Sequence, residues 1–199
     1  MSLIYIDQYI LLAIMILAFY ATPGPATISL VASGASYGFK NSIPYVWGLI
    51  TGISLTLTAS ALGLIYIITK NLILFNVFKY IALGYMLYLV YKIWSTNEVS
   101  TTDSKPLTFA NGFLLNSLNP KAYIGAFAIL TQFVNSESEL LRNEIIVAGI
   151  ILICVSIIDF LYCYLGEIVI SLLIKKKNIS IVNKVMAVLL FISIIYVAI

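Results

Sequence analysis

Histidine is absent from this sequence, and charge is scarce, with eight Asp and Glu and 11 Lys and Arg among 199 residues. Without histidine the chain lacks the commonest metal ligand and the side chain that most readily moves protons near neutrality. Only 10% of the residues are charged and 62% are hydrophobic, whereas a water-soluble domain carries about 25% charged and about 45–50% apolar residues. Folded in water, such a chain would expose much of its apolar surface. A lipid bilayer is the solvent that fits the composition. The net charge of +3 is small and scattered among apolar runs, so no nucleic-acid partner is expected. The two cysteines, Cys154 and Cys163, are nine residues apart in one apolar segment. At about 100° per residue they fall on opposite faces of a helix and are expected to be core filler rather than a disulfide. No Lys or Arg precedes the first apolar run, which is also far too long for a secretory signal.

What the chain does contain is a series of long apolar runs, and the charges punctuate them. From Asp7 to Lys40 there is no ionisable Asp, Glu, Lys or Arg. That gap exceeds the roughly 20 residues that cross a bilayer, so the first span is expected to be tilted, broken or overhanging. Thr22-Pro23-Gly24-Pro25 supplies a break in its middle. A second run follows Pro44 and reaches Lys70, and a third extends from about Leu72 to Trp94. The polar stretch Ser95 to Pro106 comes next. A fourth run, Leu107 to Val134, is interrupted at Asn119-Pro120-Lys121. The fifth, about Glu144 to Ile174, carries Asp159 and Glu167, and the sixth runs from Ile179 to the last residue.

The predicted fold is therefore all-α, an integral membrane bundle of about six transmembrane helices forming one transporter domain over 1–199. Its halves echo one another: residues 3–95 and 107–199, joined by a polar linker at 96–106, each hold three spans with a proline-bearing break in the first. An odd number of spans inverts the second half in the membrane. Inverted repeats with interrupted helices place a binding site near the midplane, at the breaks. Lys40, Lys92, Lys105, Lys175, Lys176, Lys177 and Lys184 share one side of the alternating topology, opposite Lys70, Lys79 and Arg142. The excess of positive charge on the cytoplasmic side then puts both termini outside the cytoplasm.

Chemistry is expected at the breaks. Pro23 and Pro25 each remove a backbone donor, and Gly24 between them permits unusual angles. Pro25 suits the first turn of a new half-helix, whose positive end would face the break and welcome a carboxylate. The alternative is a packing kink. Lys121 stands 16 residues from its nearest charged neighbours, Lys105 and Glu137, too deep to reach either surface with ease. A charge at mid-bilayer costs at least about 2.5–3.5 kcal/mol and normally faces a bundle interior. Its structural alternative is an ion pair with Asp159, which sits mid-way along the fifth span as partner or proton carrier. Glu167 is expected to pair with lysines at the cytoplasmic end. Asn116 and Asn119 flank the second break and would satisfy loose backbone groups or bind ligand. Gly48 and Gly52 form a small-residue face for close helix packing.

These residues resemble a family. GFLLNSLNPKA at Gly112 to Ala122, followed by QFV at Gln132 to Val134, is similar to the fourth-span signature of the LysE/RhtB exporters, and ATPGPA at Ala21 to Ala26 to their first-span motif. Gly38, Gly48 and Gly52, the run Tyr85 to Lys92, and Asp159 are also similar. The likeness covers nearly the whole chain, and Ser42, Ala82, Val90 and Thr131 depart from the family at packing positions. The resemblance implies a proton-driven exporter of amino acids or their derivatives in the cytoplasmic membrane, with no cofactor, no metal and no enzymatic activity. A homodimer is one assembly open to it. The implied site comprises Pro23, Gly24, Pro25, Asn119, Pro120, Lys121 and Asp159. The substrate carboxylate would meet the half-helix ends and Lys121, and its amino group Asp159. Two other readings are weaker. Export of an inorganic cation lacks ligands and is opposed by Lys121. A membrane thiol–disulfide enzyme would need its two cysteines to face each other.

Overall fold

The computed structural model describes residues 2–62, 70–95, 106–133, 140–173 and 179–198. Among the described residues all regular structure is helical: α1 (Ser2–Tyr20), α2 (Pro25–Tyr37), α3 (Phe39–Ala61), α4 (Leu72–Trp94), α5 (Phe109–Ser117), α6 (Pro120–Phe133), α7 (Leu140–Leu173) and α8 (Ile179–Ala198). The run from Asp7 to Lys40 is broken, as its composition requires: α1 from Gln8 and α2 meet at 67° across residues 21–24. Pro25 opens α2 in the first helical turn, where its missing N–H costs nothing. The second break falls at Leu118 and Asn119, with Pro120 opening α6.

One expectation about a boundary needs correction. α3 begins at Phe39 rather than after Pro44, and Pro44 lies inside it. The carbonyl that loses its partner there is that of Lys40, at the exposed start of the helix, where other donors can reach it. The described part of α3 ends at Ala61, and residues 63–69 of the second run lie outside the described residues. So does the linker at 96–105, together with Lys105, Glu137, Glu139 and Lys175 to Lys177.

Two helical stretches, Phe39–Ala61 and Ile145–Ile168, are each long and apolar enough to cross a membrane, and the bent pair α1–α2 makes a third. α7 has 34 residues, about 51 Å at the α-helical rise, against a hydrocarbon thickness of about 30 Å. Its faces divide cleanly. Ile151, Val155, Asp159 and Cys163, four residues apart, are buried, while Ile153, Ile157, Leu161 and Leu165 point outward. A helix with isoleucine and leucine outside and a carboxylate inside is built for a solvent less polar than its own interior.

Backbones approach closely where glycine allows it. Gly48 and Gly52 of α3 lie against α5, and Gly112 of α5 returns the contact; an added Cβ would strike the backbone at Phe109, Phe113 and Tyr45 respectively. Gly34 of α2 and Gly166 of α7 form a second seam, facing the backbone of Cys163 and Val31. Such seams replace the hydrophobic driving force that lipid does not provide. Polar pairs lock α2 to two other neighbours, α3 and α8: Ser29 with Tyr45 at 2.7 Å, Ser33 with Ser42 at 2.8 Å, and Ser36 donating to Asn183 Oδ1 at 2.6 Å. Gly38, with φ of 79°, makes the α2–α3 corner in the left-handed region that favours glycine. There Glu167 accepts the Phe39 N–H at 3.2 Å, capping α3. Glu167 was expected to pair with lysines; Lys175 to Lys177 lie outside the described residues, and the described contact is with this helix start, where the dipole favours an anion.

Candidate functional site

The break between α1 and α2 leaves carbonyls without intrahelical donors, and the surrounding chain supplies donors one by one. Thr22 Oγ1 donates back to Ala18 O at 2.8 Å, and the Tyr162 hydroxyl reaches Ala21 O at 2.6 Å. The Lys121 ammonium donates to Thr22 O at 2.8 Å, Thr22 Oγ1 at 2.8 Å and Pro23 O at 3.4 Å. Three acceptors match the three protons of an ammonium group. They also lie at the negative end of the α1 dipole, where a cation is stabilised. On its own helix Lys121 is the second residue and so occupies the positive end, which favours its reaching across to α1.

Local sequence sets up both sides. Asn119 stands immediately before Pro120 and caps α6, its Oδ1 accepting the Lys121 N–H at 3.1 Å. Its carbonyl accepts from Ala122 at 3.0 Å, and its own N–H bonds Asn116 O at 3.2 Å. Asn116 donates from Nδ2 to Leu49 O at 2.9 Å, tying α5 to α3. Both asparagines thus bond backbone groups, Asn119 at the second break and Asn116 within α3. Gly24 plays a different part from the one its conformational freedom suggested. Its φ of −168° is extended backbone that any residue adopts. Space is what matters: a Cβ there would lie 3.0 Å from Lys121 Nζ. Thr27 Oγ1 accepts the Gly24 N–H at 2.8 Å and fixes the start of α2.

Gly24, Pro25, Asn116, Asn119, Lys121 and Asp159 line one cavity of about 30 Å³, joined by Tyr20, Thr27 and Val155. That is room for about two water molecules and too little for an amino acid. Asp159, 3% exposed, has its Oδ2 buried without a hydrogen-bond partner. The ion pair considered between Asp159 and Lys121 does not form; the ammonium is committed to the α1 carbonyls instead. Buried polar atoms are nearly always satisfied, so an orphaned carboxylate oxygen on a residue that lines a small cavity marks a place for a proton or a donor. Pro23 and Pro120 shape the two breaks, and Pro23 also offers its carbonyl to Lys121. Three residues absent from the sequence-based site belong here. Thr22 and Tyr162 bind the break directly and Tyr20 lines the cavity. Thr22 could have been found as part of the ATPGPA motif.

Cys154 and Cys163 are both free thiols on α7. They do not face each other across the bundle as a dithiol enzyme would need.

Comparison with known proteins shows the family to which the chain belongs. The LysE type translocator family matches residues 17–199, a stretch that includes both breaks and Asp159. An uncharacterized membrane protein of Bacillus subtilis, YrhP, is 31% identical over 144 residues, covering 65% of this chain and 69% of its own. An uncharacterized membrane protein of Vibrio cholerae is 26% identical over 137 residues, with 65% and 67% covered. The homoserine/homoserine lactone efflux protein of Salmonella typhimurium is 20% identical over 169 residues, 82% of each chain. No solved structure matches the chain. The chain belongs to the LysE type translocator family and is a membrane transporter, not an enzyme.

Proposed function

We propose that this transporter exports small amino acids or their derivatives across the cytoplasmic membrane in exchange for protons. The observation that carries the reading is one cavity, between two broken helices, lined by a lone ammonium and a buried unpartnered carboxylate. A zwitterion carries both complementary charges. Its carboxylate would draw Lys121 from the α1 carbonyls, and its ammonium would lie toward the acidic side of the cavity. Asp159 would take a proton from outside as substrate leaves and give it up inside as substrate enters. The efflux activity named for the Salmonella relative favours a homoserine-like substrate class.

In this reading the chain makes six spans as two inverted repeats, 3–95 and 107–199, with a polar linker between them and both termini outside the cytoplasm. The paired breaks support it, as does the gathering of basic residues at one end. The corner before Lys40 meets Glu167, Lys92 donates to Asn111 at 3.1 Å beside the start of α5, and Lys184 lies 5.9 Å above the Trp94 ring. A homodimer is compatible with the reading and is not required by it. The test is efflux of a panel of labelled amino acids from proteoliposomes under an inward proton gradient. Acceleration of at least one amino acid is expected. Failure of every member of a broad panel would remove the substrate assignment.

A further inference from the structure

Lys121 carries a primary ammonium group, the same chemical group that an amino acid presents, and the α1 terminus already binds it. We propose that Thr22 O, Thr22 Oγ1 and Pro23 O form the subsite for the primary ammonium of the substrate, with Lys121 its resident occupant until the substrate arrives. The inference rests on the amino-acid reading above and refines it by moving the ammonium from Asp159 to the end of α1.

Three features carry it. The acceptors are arranged for three N–H donors, at 2.8, 2.8 and 3.4 Å from Lys121 Nζ. They lie in the break just past the end of α1, whose dipole attracts a cation without carrying a full charge, so the occupant can be exchanged. Asp159 Oδ2, on the same cavity, is buried and unpartnered. If the ammonium rests on the carbonyls, this oxygen stays free to hold a proton, and one carboxylate need not serve cargo and coupling ion at once. A zwitterion can then insert between Lys121 and α1. Its carboxylate takes the Lys121 ammonium as its own ammonium takes the vacated carbonyls, and no charge is left unpaired at any stage. Gly24 keeps the space for this exchange, since a Cβ there would press on Lys121 at Nζ and at Cδ, 3.0 and 3.2 Å away. The subsite is matched to three charged N–H donors, so fully methylated amines are excluded and hydroxy acids, with one uncharged donor, bind more weakly.

The test is thermal unfolding of the purified full-length protein in detergent, with ethylammonium or tetramethylammonium chloride at fixed ionic strength. Lys121→Ala empties the seat. Ethylammonium should then raise its unfolding temperature saturably, tetramethylammonium should not, and the wild type should respond to neither. Adding Thr22→Val should weaken ethylammonium binding about tenfold or more. Equal effects of the two cations, or equal shifts in wild type and Lys121→Ala, would overturn the proposal. Should Lys121→Ala fail to fold, Thr22→Val alone decides through transport. Losing one charge-assisted bond should raise KM for amino acids about tenfold or more, and an unchanged KM contradicts the subsite. The cation titration needs no transported substrate, so it separates failure of this subsite from failure of the amino-acid reading.

Discussion

The Lys121 ammonium lies 2.8 Å from both the carbonyl and the hydroxyl oxygen of Thr22, so a side chain from the second half of the chain closes the helix break of the first. The two breaks are therefore one structural unit. Opening the site means parting Lys121 from Thr22, and anything that binds there competes with that contact.

The glycine seams should be intolerant of even one methyl group. Gly112→Ala would drive a Cβ into the Tyr45 carbonyl and Gly48→Ala into that of Phe109, both backbone atoms that cannot swing aside. Overpacking costs about 1–3 kcal/mol, and each variant is expected at the upper end of that range. Gly84, with nothing within 4 Å, is the control. Gly84→Ala should be neutral or stabilise by up to about 1 kcal/mol through helix propensity. Thermal unfolding in detergent ranks the three.

Gly24→Ala tests space rather than backbone freedom. The extended φ accepts alanine, and the displaced group is the flexible Lys121 side chain. The protein should fold with little loss of stability while transport falls. A loss of stability as large as that at Gly112 would contradict this assignment.

The two asparagines should separate. Asn119→Ala removes the α6 cap and the bond that fixes the backbone of Lys121, costing about 0.5–2 kcal/mol, and should impair transport as well. Asn116→Ala removes a bond to Leu49 O between α5 and α3, costing about 0.5–1.5 kcal/mol, and should raise KM less than Asn119→Ala does. Unfolding curves and transport kinetics on both variants check the split.

Asp159→Asn keeps the shape of the buried side chain and removes its ability to give up a proton. Exchange of internal for external amino acid should persist in this variant, while acceleration of efflux by an inward proton gradient should vanish. Gradient-driven efflux at the wild-type rate would exclude Asp159 as the coupling group.

Much of this site was legible in the sequence, for a local reason. Proline and glycine act on their own turn of helix, so Thr22 to Pro25 and Asn119-Pro120 announced both breaks. Lys121 and Asp159 were conspicuous because charge is rare in apolar runs. What stayed hidden were partners set by packing. Thr22 is 99 residues from Lys121, and nothing in the ATPGPA motif says which cation will meet it. The capping of Phe39 by Glu167 spans 128 residues, and no local pattern points to it. Pro44 misled because a proline near a helix start can be absorbed within the helix, where its spacing alone suggested a beginning.

The most direct measurement compares counterflow of a labelled amino acid into proteoliposomes holding wild type, Lys121→Arg or Lys121→Ala, each first shown to be folded by its unfolding transition. Robust exchange by the wild type, reduced exchange by the arginine protein and none above empty liposomes for the alanine protein is the expected result. Equal exchange by wild type and Lys121→Ala would contradict the account.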